Sequence, residues 1–226
     1  MLSIRELAAS FQLPVDTINK WIKEGRINAH RMGDNIYVDQ NELRRVLEQS
    51  SKIPSEGVHN VIKNQEFSLV SSLKSGGVFH GVSGSTRDEV LMNSLENIRG
   101  IREESRHQLH GLLIEREELS STGVGDGIAF PHARGSLDNI ITEPILSLNF
   151  LENPVEFGAV DGQAVHILFL LFSPDTKTHL KMLSALSFAL SRAEIRSAVM
   201  NHEGESVILS AFSTLEQELK TKRKGA

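Results

Sequence analysis

The residues best placed to do chemistry lie in one glycine-rich loop, residues 120–134. Its glycines alternate along the chain: Gly123, Gly125 and Gly127. They permit backbone conformations that other residues avoid, and these can turn N–H groups toward a bound anion. Next comes His132, between Pro131 and a nearby Arg134. A neutral imidazole held by a rigid proline can attack a phosphoryl group while cations and N–H donors stabilise the charge. The loop is compatible with a phosphoryl-accepting histidine, but on spacing alone an ordinary surface or loop histidine is the more common case, since most histidines do nothing chemical.

Other kinds of site fit this loop poorly. A dinucleotide fingerprint counted from Gly123 would need glycine where Ile128 stands, and a Walker loop would need Gly-Lys-Ser or Gly-Lys-Thr after the glycines. Ser121 lacks the G-x-S-x-G context of a hydrolase nucleophile. The set His132, His166 and His179 lacks the short paired spacing of a zinc site. We therefore predict neither a cofactor nor a metal.

Strands and helices alternate around the loop. A helix is predicted over residues 103–118, strands over Ile145–Phe150 and His166–Phe172, and a helix over Thr176–Leu190. A helix from Thr86 to Ile98 can be capped by Ser85. A last helix near residues 205–219 precedes a frayed tail, residues 220–224, within a basic tail assigned to residues 219–226. His166, at the start of its strand, is expected to pack or to lie at an edge. This alternation predicts an α/β domain with a covered sheet.

The first fifty residues form a separate pattern. Ser3 with Glu6 is a capping box for one helix, a second helix ends at Gly25, a hairpin turns around residues 32–35, and Asp39 opens a third helix. Residues 51–65 contain Pro54 and Gly57 and have weak periodicity, which predicts a linker.

The composition excludes several classes of protein. With 226 residues and 23% charged side chains, the chain is neither disordered nor collagen-like. It has no cysteine, which excludes disulfides and thiolate chemistry. The net charge of -5 gives no indication that the chain as a whole binds nucleic acid or membranes. No stretch has the ~20 apolar residues of a membrane span, and no signal peptide is evident. A cytoplasmic protein is expected.

The segment Arg116 to Arg134 resembles the signature of the fructose/mannitol-type enzyme IIA domain of the phosphoenolpyruvate-dependent phosphotransferase system. A second block, Val155 to Gln163 and on through Pro174 to Leu180, is similar to the nitrogen-regulatory branch of that family. The resemblance covers residues 66–218. It implies a bacterial protein whose mixed sheet carries helices on both faces.

The resemblance also assigns roles to three residues. The phosphorylated histidine of the family falls on His132, its second active-site histidine on His179, and its phosphate-binding arginine on Arg116. His179 is expected in the first turn of its helix, where the dipole disfavours a second positive charge and N–H groups can receive an anion. Arg116 offers a fork of donors matched to phosphate. Without the motif, it would read equally well as an exposed cation at a helix end.

Residues 1–50 resemble the excisionase/MerR-like winged helix-turn-helix family, through Leu7 to Ala9, Val15 to Ile27 and the end of the wing at Tyr37 to Asp39. The resemblance implies that the second helix enters the DNA major groove. The candidate DNA contacts are Thr17, Asn19, Lys20, Lys23, Arg26 and Arg31. Residues 1–52 carry 8 Lys and Arg against 7 Asp and Glu, so one module would bind DNA weakly. A homodimer or multiple binding sites would have to compensate. The alternative is an interaction module that no longer binds DNA.

These observations predict a regulator in which His132 accepts a phosphoryl group from the phosphocarrier protein HPr, or its nitrogen-branch equivalent, and thereby controls a DNA-binding head. Two alternatives stay open. The chain could be a phosphocarrier that passes phosphate from His132 to a IIB partner. It could also regulate kinases or transporters by contact alone.

Overall fold

A computed structural model describes residues 2–3, 19, 22–23, 28–32, 35–38, 68–99, 101–133, 136–159 and 161–224. The chain forms two compact units. One comprises Met1–Glu66, Leu180–Arg196 and Leu215–Ala226, and the other comprises Phe67–His179 and Ser197–Thr214. Within the described ranges, no helix is both long enough and apolar enough to cross a membrane.

A small antiparallel sheet lies near the N-terminus. Its strands are β1 (Leu2–Ser3), β2 (Ala29–Met32) and β3 (Asn35–Val38), in the order β1-β3-β2. Met32 pairs with Asn35, which confirms the hairpin predicted around residues 32–35. Asn19, Ile22 and Lys23 are helical, as expected for the second predicted helix. The remainder of that helix, most of the first predicted helix, the whole of the third and the linker 51–65 lie outside the described residues.

A five-stranded mixed sheet organises the larger unit. Its strands are β4 (Gly77–Val82), β5 (Gly123–Gly125), β6 (Ile128–Ala129), β7 (Ile145–Val155) and β8 (Val165–Phe172), in the order β4-β7-β8-β6-β5. The pairs β4–β7 and β6–β8 are parallel, whereas β7–β8 and β5–β6 are antiparallel. The two central strands, β7 and β8, are the apolar runs recognised in the sequence, and β7 continues to Val155.

From residue 68 onward, the described residues form six helices: α1 (Leu69–Gly76), α2 (Arg87–Asn97), α3 (Glu103–Leu119), α4 (Thr176–Leu190), α5 (Ala193–Met200) and α6 (Glu205–Lys224). The predictions of α3 and α4 are confirmed. The predicted cap of α2 is one residue too early, because the Thr86 side chain accepts the Glu89 N–H at 3.2 Å. The frayed tail is also wrong, since α6 runs to Lys224. Lysine and arginine are good helix formers, and their charges are favourable near a helix C-terminus.

Helices α2 and α3 cover one face of the sheet, and the hydrophobic core lies between them and the strands. Leu91 and Leu95 of α2 and Leu109 of α3 join Leu168 and Leu170 of β8 in one buried cluster. Because side chains alternate along a strand, Phe169 and Leu171 of β8 point to the opposite face, and they are fully buried as well. A sheet buried on both faces explains the nearly continuous apolar character of β7 and β8. The α/β fold, with a mixed sheet flanked by helices, is confirmed.

Candidate active site

The candidate site lies where two parallel strands end at the same edge of the sheet. The segment after β6 carries His132, and the segment after β8 leads into α4, whose first turn carries His179. Leu171 of β8 anchors the first segment, because its N–H donates to Pro131 O at 3.0 Å and it forms a parallel bridge with His132. Loops that follow the carboxyl ends of strands are the usual location of ligand sites in α/β sheets.

His132 is buried, and both of its ring nitrogens have protein partners. Nδ1 lies 2.8 Å from Phe130 O, and the Nε of Arg116 donates to His132 Nε2 at 3.3 Å. A carbonyl oxygen can only accept a hydrogen bond, so Nδ1 carries the proton. Nε2 therefore presents its lone pair, and it is the nitrogen that can act as a nucleophile.

Arg116 lies in the last turn of α3 and is 4% exposed. Its Nη1 donates to Ser120 O at 2.7 Å, while its Nε points at His132. The guanidinium is thus buried and directed, and the alternative of an exposed helix-end cation is wrong. A fixed fork of donors beside a nucleophilic nitrogen is suited to a phosphoryl group.

His179 completes the arrangement. Its ring centroid lies 4.8 Å from that of His132, with the planes tilted by 43°. Burial, followed by the positive charge of Arg116, lowers the pKa of His179 to about 4. The His179 side chain is only half-buried. Burial and the charge of Arg116 both lower its pKa, however, so the ring is neutral at pH 7. A neutral imidazole can donate one hydrogen bond to an incoming anion without adding charge.

Two N–H groups in the first turn of α4 are used within the protein, which differs from the expectation that N–H groups there can receive an anion. The His179 N–H donates to Asp175 O at 3.0 Å, and the Thr178 N–H donates to the Asp175 carboxylate at 2.9 Å. The Thr178 hydroxyl also donates to that carboxylate. Asp175 caps this helix, as Asp often does at the residue before a helix. At this end of the site, side chains rather than these two amides are available to an anion.

The glycines of the loop shape a tight hairpin between β5 and β6. Gly125, Asp126 and Gly127 all have positive φ, at 101°, 53° and 71°. A Cβ at Gly127 would also collide with the His166 ring. The Asp126 N–H donates to Asp161 Oδ2 at 2.8 Å, which differs from the expectation of a backbone aimed at a bound anion. Hydrogen bonds from the backbone of Gln163 and then of Asp126 lower the pKa of Asp161, which favours the charged form that holds the turn.

Two buried residues beside Arg116 were missed by the sequence analysis. Glu117 is 4% exposed, and its carboxylate accepts the Thr122 N–H at 2.9 Å and the Thr122 hydroxyl at 2.6 Å. Thr122 O in turn accepts the Phe130 N–H at 3.0 Å. The only sequence signal for Glu117 was its position directly after Arg116 in the family motif.

The remaining candidate residues lie apart from this site or outside the described residues. His166 is the second residue of β8, about 16 Å along the strand from the residue that pairs with His132. Its ring tilts toward His202, at a centroid distance of 5.6 Å. In the part of the chain that the structure covers, no three His, Cys, Asp or Glu side chains are grouped so that they could hold a metal ion.

Of the candidate DNA contacts, Asn19 and Lys23 are helical, and Lys23 is exposed. Arg31 lies in β2 and pairs with Ile36. Thr17, Lys20 and Arg26 are outside the described residues, as is Arg134 of the loop. The DNA-binding role of all six candidates remains a prediction.

The low pKa of His179 predicts how stability depends on pH. Between pH 6.5 and pH 4 the unfolded chain binds a proton at His179 while the folded protein does not, so stability falls as the pH falls through this window. We expect His179→Gln to lose about 1–3 kcal/mol less stability than wild type when the pH falls through this window, because glutamine does not titrate. Urea unfolding of both proteins at pH 7 and pH 4.5 measures the difference. Equal losses of stability in the two proteins, or an NMR titration of His179 near pH 6.5, would contradict the assignment.

Comparison with known proteins agrees with the fold and the motifs. Residues 71–214 match the family model described as the phosphoenolpyruvate-dependent sugar phosphotransferase system, EIIA 2, and residues 1–51 match a helix-turn-helix domain model. The chain is 36% identical over 132 residues to the nitrogen regulatory protein of Pseudomonas aeruginosa, an alignment that covers 57% of this chain and 83% of that protein. It is 34% identical over 103 residues to the fructose-specific EIIABC component of Bacillus subtilis, covering 45% of this chain and 16% of the relative.

A solved structure shows the same likeness in three dimensions. The nitrogen regulatory protein IIA-Ntr of Neisseria meningitidis superposes with a TM-score of 0.51 at 25% identity, over 60% of this chain and 92% of that one. The chain is thus similar to nitrogen regulatory proteins, and its residues 1–51 match a helix-turn-helix domain model. Because the family model matches more than half of the chain, the protein belongs to the EIIA 2 family of the phosphoenolpyruvate-dependent sugar phosphotransferase system.

Proposed function

We propose that this protein is a regulator of the phosphotransferase system in which phosphorylation of His132 controls a DNA-binding head. In this proposal residues 1–50 form an excisionase/MerR-like head, residues 51–65 a linker, residues 66–218 the IIA domain and residues 219–226 a basic end. The phosphoryl donor is an HPr-type phosphocarrier. The observation that carries the proposal is the Nε2 lone pair of His132, which lies beside the buried guanidinium of Arg116 and the neutral ring of His179.

The chemistry follows from the hydrogen bonds of His132. Its Nε2 lone pair attacks the phosphorus of the phosphocarrier's phosphohistidine, a P–N bond forms, and the donor's P–N bond breaks with its electron pair returning to the donor ring. Arg116 Nε–H then turns from Nε2 to the phosphoryl oxygens. His132 keeps its Nδ1 proton, and Phe130 O stabilises the positive charge that the ring acquires. His179 can donate its N–H to a third oxygen.

The link to DNA rests on the charge that phosphorylation adds. A phosphoryl group brings close to two negative charges, which can repel an acidic surface or recruit an arginine and so favour one conformation of the whole chain. We expect phosphorylated and unphosphorylated wild-type protein to differ in affinity for a duplex selected from a random pool by the unphosphorylated protein. His132→Ala should bind like the unphosphorylated protein under both conditions. Equal affinities of all forms at matched salt would contradict the coupling.

The head can be tested separately through Lys23, which is exposed on the second helix. Lys23→Ala should weaken DNA binding and reduce the slope of log affinity against log salt by about 1, because one phosphate contact is lost. Lys74→Ala removes an exposed lysine from α1 of the IIA domain and serves as the matched control. Fluorescence anisotropy over a range of salt concentrations measures both slopes. An unchanged slope for Lys23→Ala would place Lys23 outside the DNA interface.

A carrier function makes a different prediction. The match to part of a fructose-specific EIIABC component keeps transfer to a IIB partner as the second candidate. Phosphorylated protein mixed with a sugar-specific IIB domain would then lose its phosphoryl group rapidly. Retention of the phosphoryl group through that mixing, together with a change in DNA affinity, would favour the regulator.

A further inference from the structure

The buried carboxylate of Glu117 is in an unfavourable place for a negative charge. It lies in the last turn of α3, where the partial negative charge of the helix C-terminus disfavours an anion. Burying a carboxylate also costs free energy unless hydrogen bonds satisfy it. Both Oε atoms are used, one by the Thr122 N–H and the other by the Thr122 hydroxyl. Two charge-assisted bonds to a single residue fix the distance and the orientation between α3 and the chain that enters β5.

These bonds connect the two reacting groups of the site. On one side, Glu117 is the neighbour of Arg116 in the same helical turn. On the other side, Thr122 O accepts the Phe130 N–H, and Phe130 O is the partner of His132 Nδ1. This series of bonds from Glu117 to His132 passes through the saturated Cα atoms of Thr122 and Phe130. It therefore fixes the positions of the groups at its ends and does not carry charge between them. Without it, the Arg116 Nη1 bond to Ser120 O would still tie α3 to the following chain, but the 3.3 Å contact between Arg116 Nε and His132 Nε2 would lose the link that fixes Thr122.

We propose that Glu117 is a positioning residue for phosphoryl transfer, acting through Thr122 to keep Arg116 and His132 in register. The inference rests on the proposed acceptance of phosphate by His132. A displacement near 1 Å in a site of this kind can cost about 10²-fold in rate. Glu117 need not touch the phosphoryl group, because its effect passes through the two residues that do.

The test compares substitutions that break or keep these bonds. Glu117→Ala removes both bonds. We expect single-turnover transfer from saturating phosphorylated HPr-type carrier to slow by about 10- to 100-fold. The carrier concentration that gives half of the maximal rate should change little. Glu117→Gln can still accept the Thr122 N–H and can donate its amide to the Thr122 hydroxyl, so it should stay within several-fold of wild type. Glu118→Ala removes an exposed carboxylate one residue further on and serves as the control. A wild-type rate for Glu117→Ala, or an equal loss for Glu117→Gln, would overturn the positioning role.

Two further measurements keep the test decisive. If Glu117→Ala fails to fold, two variants of Thr122 replace it: Thr122→Val lacks the hydroxyl and Thr122→Ser keeps it. The valine variant should accept the phosphoryl group more slowly than the serine variant. Equal rates would refute the proposal. Nitrogen-15 NMR of the unphosphorylated protein reports the His132 tautomer directly, and Glu117→Ala should mix the Nδ1–H and Nε2–H forms where wild type holds the first. That spectrum decides the role of Glu117 even if wild type accepts no phosphate, an outcome that would reject the proposed function alone.

Discussion

His132→Ala should abolish phosphorylation of this protein. Incubated with phosphoenolpyruvate, enzyme I and the phosphocarrier, wild-type protein is expected to gain the mass of one phosphoryl group, and the variant none. The effect is all or nothing because Nε2 of His132 is the atom that forms the new bond, and alanine offers no nucleophile in its place. Intact-mass spectrometry, repeated after brief acid treatment, measures both the gain and its acid lability.

The control is another histidine of the same domain. His107 is exposed on α3, and His107→Ala should be phosphorylated like wild type. Phosphate on His132→Ala would move the acceptor to another residue. If neither wild type nor variant gains phosphate while a IIA domain of known activity does in the same mixture, the protein uses its fold for contact rather than for phosphoryl transfer.

The parts of the fold that sequence predicted well are those whose pattern is local. The apolar runs of β7 and β8 and the periodic segments of α3 and α4 give each element its own signal, and these predictions are confirmed. The sequence offered no prediction for α1 or β4, because α1 ends at Gly76 and β4 begins at the next residue, with no loop to separate them. Gly76 has a close-packing role instead, since a Cβ there would strike Leu146 O.

In the site, too, some residues could be predicted from the sequence and others could not. His132, His179 and Arg116 were found through the family motif, and the structure brings their side chains together. Asp161 could not be found, because its partner Asp126 lies 35 residues away in the chain and only the folded backbone brings them into contact. Glu117 was missed for a different reason: an acidic residue among Glu115 and Glu118 reads as part of a solvated helix face, and only the burial of α3 at this point distinguishes it.

Replacing Arg116 should have the second largest effect on phosphoryl transfer. Arg116→Ala removes a buried donor aimed at the reacting nitrogen, and losses from deleting one such donor are typically about 10²–10³-fold in rate. Arg116→Lys keeps the charge but has one ammonium group, which cannot hold Ser120 O and still present a planar fork to the phosphoryl oxygens. We therefore expect the lysine variant to fall between alanine and wild type. Single-turnover transfer from the phosphocarrier measures all three, and Arg87→Lys, an exposed site at the start of α2, is the matched control.

The same substitutions have a second consequence that does not depend on catalysis. The charge of Arg116 is one of the two causes of the low pKa of His179, and burial is the larger. In Arg116→Ala the pKa of His179 should therefore rise from about 4 but stay below 6.5, whereas in Arg116→Lys it should hardly move. NMR titration of His179 in the three proteins separates the two properties of the arginine. A lysine variant with an unchanged His179 titration and a slow transfer rate would assign the rate to the geometry of the guanidinium, and a lysine variant that transfers at the wild-type rate would show that its charge alone suffices.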